Sequence, residues 1–109
     1  MLCLNLLWKT ELSVGKLAAQ VAHAAVSAAE KSPYKAEWLR VGQKKSVLKC
    51  ASLGELERIG GLAAKAGLSC ALIEDAGFTQ IPAGTVTCLG VGPAPAKELD
   101  KVTGHLKLL

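Results

Sequence analysis

Residues 69–93, SCALIEDAGFTQIPAGTVTCLGVGP, decide how this chain folds. An apolar run stands at each end, SCALIE at 69–74 and TVTCLGV at 85–91, and each reads as a β-strand. Only ten residues join them, and parallel strands need a crossover of a dozen or more. The pair can therefore be antiparallel. The joining segment is also out of character. In a chain that is 50% hydrophobic, it and the start of the next strand gather Asp75, Gln80, Thr79, Thr85 and Thr87, with Gly77, Pro82 and Gly84 among them. Gly77 permits a turn with positive φ, and Pro82 and Gly84 stiffen the return. Asp75 follows directly on a strand, at the edge where α/β sheets usually carry their sites. Taken alone, the segment also fits an Asx-type turn whose polar groups satisfy only its own backbone.

To either side, LCLNLLW (2–8) is apolar on both faces, as a strand covered on both sides is, and SVLKCA (46–51) reads as a further strand after a turn at Gln43-Lys44-Lys45. Helices are expected over 16–31, over 34–42 after Pro33, from the capping-box spacing Ser52-Leu53-Gly54-Glu55 to about residue 66, and over 94–102. Gly67 marks the stop of the third helix. The expected fold is α/β: one domain over 1–109, with a four-stranded mixed sheet and helices on both faces. A chain of 109 residues buries about two thirds of its unfolded surface and folds alone.

Composition excludes several classes. The opening MLCLNLLWKT has no basic flank and is broken by Asn5, so it is not a signal sequence. The apolar stretch 17–29 contains Gln20 and His23 and is too short to span a bilayer. Cys3, Cys50, Cys70 and Cys88 never come within metal-ligand spacing, and each lies in an expected strand. They read as small buried hydrophobes in a reducing, cytoplasmic setting, with long-range disulfides the alternative. The net charge of +4 suits a polyanionic partner, although excess lysine for solubility gives the same number. Gly15-Lys16 is no P-loop, because Thr10 and Leu17 stand where that motif needs glycine and a hydroxyl. Gly90-Val91-Gly92 lacks the third glycine of a dinucleotide fingerprint.

At 100° per residue, Lys16, Gln20, His23, Ser27, Glu30 and Lys31 fall in one narrow stripe of the first helix, and small apolar residues take the rest. A wet helix face is the plain reading. Against it, Lys16 opposes the helix dipole, and the stripe is narrow enough to suit a cleft.

Four segments in order, GKLAAQVAHAAV (15–26), GQKKSVLK (42–49), DAGFTQIPAGTVTCLGVGP (75–93) and VTGHLKLL (102–109), resemble the type-2 peptidyl-tRNA hydrolases of archaea and eukaryotes. The resemblance implies a mixed-sheet α/β esterase that frees tRNA from peptidyl-tRNA for reuse in translation, with no cofactor and no metal, no membrane attachment, and a homodimeric assembly. It marks Lys16, Gln20, His23, Asp75, Thr79 and Thr87 as site residues. Lys16 would stabilise an oxyanion or meet a terminal tRNA phosphate. Asp75 would position water, with His23 the alternative base, since imidazole titrates near neutrality. Thr79 and Thr87 would hold water or ribose hydroxyls. Lys44, Lys45, Arg40, Lys101 and Lys107 are the expected phosphate contacts, in a chain with few aromatics to stack on bases. The segment before Gly15-Lys16 is about two residues shorter than the family's usual loop. A non-catalytic RNA-binding module and a D-aminoacyl-tRNA deacylase are the competing functions.

Overall fold

The computed structural model describes residues 1–8, 12–74 and 86–109. Along the chain run β1 (Leu2–Leu7), α1 (Val14–Glu30), α2 (Lys35–Arg40), β2 (Lys45–Lys49), α3 (Leu53–Lys65), β3 (Cys70–Glu74), β4 (Val86–Ala94), α4 (Ala96–Thr103) and β5 (Lys107–Leu108). They form one sheet of order β3-β4-β1-β2-β5. β1 and β2 are parallel, while β4 is antiparallel to both β1 and β3 and β5 is antiparallel to β2. Hence β1, β2 and β3 all point the same way, and their carboxyl ends share one edge of the sheet. The mixed sheet is as the sequence predicts, with one strand more. β5 is two residues long and forms only where β2 offers it an edge, a condition that no local pattern reports.

Strand alternation divides the core between two faces. Leu4, Leu6, Leu48, Leu89 and Val91 pack with Leu56, Ile59 and Ala63 of α3 and Leu99 and Val102 of α4. On the other face Leu7, Ile73 and Cys88 meet Ala24, Leu17 and Val21 of α1. There Cys3 also packs with Ala25, Ala29 and the α2 residue Trp38. Burying each of Leu6, Leu7, Leu56, Ile59, Leu89 and Leu99 contributes at most about 1.5–3 kcal/mol. α1 lies close on the sheet because Gly90 lies beneath it. A Cβ at Gly90 would run into the Ala24 carbonyl. Close helix–strand packing, not nucleotide binding, accounts for that glycine.

Local signals set most boundaries. α1 begins at Val14 rather than 16, because the Ser13 hydroxyl accepts a hydrogen bond from the Lys16 N–H at 3.4 Å. α3 starts after Ser52, whose hydroxyl accepts from the Glu55 N–H at 3.2 Å. The Glu55 carboxylate reaches back one residue further than a capping box requires, to the Ala51 N–H at 3.3 Å. Gly67, at φ 77°, follows the helix as expected. β4 runs three residues beyond its predicted end, to Ala94. Across the molecule, the Trp8 Nε1–H donates to the Val86 carbonyl at 2.7 Å, tying the end of β1 to the start of β4.

All four cysteines are free thiols. Cys50 sits one residue past β2, while the other three are within strands. Burial pushes Cys3 and Cys50 up to about 11 and Cys88 up to about 12, so these thiols stay protonated at neutral pH, as inert small hydrophobes do.

Candidate active site

Following each chain direction places the expected chemistry at the carboxyl edge of β1, β2 and β3. β3 ends there at Glu74, β4 begins there at Val86, and α1 starts beside them after Leu12 and Ser13. Asp75 and Thr79 lie outside the described residues.

The structure joins two of the remaining site residues across 67 positions of sequence. The Thr87 hydroxyl lies 3.1 Å from Gln20 Oε1 and 3.4 Å from the Ile73 carbonyl. It has one proton to give, and the Gln20 contact is the shorter. A β-bulge makes this possible. Ile73 pairs with Cys88 and Glu74 with Val86, which leaves Thr87 as the unmatched residue of β4. Strict alternation would send Thr87 with Leu89 and Val91 toward α3. The bulge instead lets it reach α1, a re-aiming that bulges next to sites commonly perform. Thr87 is fully buried. With Oε1 engaged by Thr87, Gln20 keeps its two Nε2–H donors for another acceptor.

Lys16 lies one helical turn before Gln20 on the same stripe, partly exposed. Among the described residues its ammonium has no carboxylate partner. The first turn of α1 also carries no acidic side chain. A free cation beside a helix amino terminus makes a locally positive corner, suited to an anion or a developing oxyanion. His23 continues the stripe and is exposed, with no hydrogen-bond partner among the described residues. The arrangement thus offers a cation, an amide donor fixed by a buried hydroxyl, and an accessible imidazole.

The expected RNA-contacting cations do not stay together. Lys44 and Lys45 stand at the start of β2 and Arg40 at the end of α2, on the opposite edge from Thr87. Arg40 pairs with Glu37 at 3.3 Å. Lys45 donates to the Gln43 carbonyl at 2.8 Å and lies 4.8 Å from the centre of the Trp38 ring. Lys101 is exposed on α4. Of the five, Lys107 lies in β5 opposite the carboxyl end of β2, facing Lys49. The motif reading passes over Lys49, which gains its neighbour only through the β2–β5 pairing.

Comparison with known sequences decides the lineage. Residues 3–109 match the sequence model of the family described as peptidyl-tRNA hydrolase PTH2. The chain belongs to that family. It is 53% identical over 104 residues to a peptidyl-tRNA hydrolase of Thermococcus onnurineus, covering 91% of this chain and 88% of that protein. Against the protein of the same name from Methanopyrus kandleri the identity is 52% over 103 residues, covering 91% and 89%. A peptidyl-tRNA hydrolase of Sulfurisphaera tokodaii is 47% identical over 108 residues. Family membership agrees with the mixed α/β sheet. Among the described residues no helix is long and apolar enough to cross a membrane.

Proposed function

We propose that this protein hydrolyses the ester bond between peptide and tRNA in peptidyl-tRNA, returning free tRNA to translation in the cytoplasm. Similarity to proteins of that name over about nine tenths of both chains carries the reading, and Lys16, Gln20 and Thr87 give it a mechanism. Attack on the ester carbonyl builds negative charge on its oxygen. Lys16 and the Nε2–H of Gln20 supply the stabilising positive charge and donor, and Thr87 holds the amide in the donating orientation. Asp75 positions the attacking water, and Thr79 holds water or a ribose hydroxyl. Two groups can take the water's proton, Asp75 and His23, and a pH–rate profile of each variant separates them. The reaction needs no metal, because ammonium and amide donors already meet the developing charge.

The tRNA is gripped through phosphates, by Lys107 near the site and by Lys44, Lys45, Arg40 and Lys101 farther out. The protein works as a homodimer. Exposed Val26, Leu39 and Val41 on the α1–α2 face support this, and light scattering tests it.

The deciding experiment measures tRNA release from N-acetyl-aminoacyl-tRNA, beside the unblocked ester, in EDTA. Turnover of the blocked substrate alone, lost in Asp75→Ala, is the expected result. Preference for the free α-amino group would indicate a deacylase of aminoacyl-tRNA. Binding without turnover by folded protein would leave a tRNA-binding module.

A further inference from the structure

We infer that Lys49 and Lys107 together form a phosphate-binding site for the RNA backbone of the substrate, an inference that rests on the hydrolase reading above. The register of β2 and β5 sets these two residues directly opposite each other, with Leu48 opposite Leu108. The Leu109 N–H donates to the Val47 carbonyl at 3.0 Å and fixes the short strand in place. Directly opposed residues of an antiparallel pair share a face, with Cβ atoms about 4.5–5.5 Å apart, and like charges there destabilise the pair.

Both lysines are exposed, and among the described residues neither forms an ion pair. They border a shallow hollow of about 340 Å³ that Cys50, Ala51, Glu55, His105 and Leu106 complete. Glu55 is the one carboxylate in that lining, and it already accepts a hydrogen bond from the Ala51 N–H. Two lysines rooted side by side by backbone pairing, neither in an ion pair among the described residues, suit a bridging anion. Lysine serves phosphate well as a compact point charge.

Position supplies the identity of that anion. Alternation roots Lys49 on the α1 face with Val47, whereas the hollow it borders is completed from the α3–α4 side by Cys50, Glu55 and Leu106, so the pair stands at the end of the sheet between its two faces. It also stands at the carboxyl edge, as Lys16 and Thr87 do. From β4 through β1 and β2 to β5 is three strand spacings, about 14 Å. A strand of RNA whose terminal ester lies at Gln20 and Lys16 can thus follow this edge and place a backbone phosphate between the two lysines.

The test measures binding of uncharged tRNA across about 50–300 mM salt. Lys49→Gln/Lys107→Gln is compared with a charge-matched control, Lys65→Gln/Lys97→Gln, whose exposed lysines lie elsewhere on α3 and α4. The expected result is weaker low-salt binding and a salt slope lowered by about 1 in the pair variant alone. Its thermal midpoint should equal or exceed that of wild type, because a repulsion has gone. Lys49→Arg/Lys107→Arg, which keeps the charge and the fold, should retain the wild-type slope. An unchanged slope in the pair variant, or an equal fall in the control, overturns the site. Wild-type turnover is followed in parallel. Turnover with an unchanged slope removes the phosphate site alone, whereas a slope change without turnover removes the hydrolase reading and leaves an RNA-binding edge.

Discussion

Around α2, at the amino edge of the parallel strands, cations are largely engaged within the protein. Arg40 pairs with Glu37, Lys35 pairs with Glu30 and lowers that carboxyl below its usual range, and Lys45 lies over Trp38. At the carboxyl edge, Lys16, Lys49 and Lys107 have no carboxylate partner among the described residues. The residue type is the same at both edges, but its neighbours differ. Exposed ion pairs add little stability, so the amino-edge pairs chiefly mask charge. Three lysines free of carboxylate partners among the described residues thus stand along the edge where the substrate's ester and its nearest phosphates would lie. Basic composition alone could not have placed them there.

The largest expected effect compares one lysine from each edge. Lys16→Ala should lower single-turnover hydrolysis of N-acetyl-aminoacyl-tRNA by about 10²–10³, the usual cost of removing an oxyanion-stabilising group. Lys45→Ala should leave the bound-state rate near wild type and weaken tRNA binding only modestly. Equal losses of rate in the two variants would mean that the edges do not differ in the way their ion pairing suggests.

A smaller effect tests how the carboxyl edge is organised. Thr87→Val removes the hydroxyl that orients Gln20, and Gln20→Ala removes the amide itself. Each should lower kcat by about tenfold with KM little changed, and the double variant should lose no more than either single one. Losing a buried hydrogen bond also costs about 1 kcal/mol of stability, so unfolding curves accompany the kinetics. Additive losses would show that Thr87 acts on substrate independently of Gln20.

That pair also shows where sequence reading reaches its limit. The helical wheel identifies Gln20, and its spacing to Lys16 and His23, because those relations lie within one helix. The odd polar content of 75–87 identifies the loop. Neither shows that Gln20 meets Thr87, because the contact depends on a bulge that only the β3–β4 register creates. The amphipathic elements and the antiparallel return were legible for the same reason, being local patterns and a loop length. β5 was not, since two residues carry no periodicity. The division of the lysines between edges was equally hidden. Lys44 and Lys49 are five positions apart in sequence, yet the length of β2 carries them to opposite ends of the sheet.

The smallest expected effect concerns masking at the amino edge. Glu37→Gln removes the partner of Arg40, both side chains being more than half exposed. The thermal midpoint should move by no more than about 2 °C, because exposed pairs contribute little. tRNA binding is the more informative readout. If tRNA passes over this edge on its way from the site, freeing Arg40 should strengthen low-salt binding about twofold beyond the change in a matched Glu98→Gln control. The gain should vanish at high salt. Identical behaviour of the two variants would place the amino edge off the tRNA path and confine RNA contact to the edge carrying Lys16, Lys49 and Lys107. The position of the ion pairs, rather than the number of lysines, would then define the bound surface.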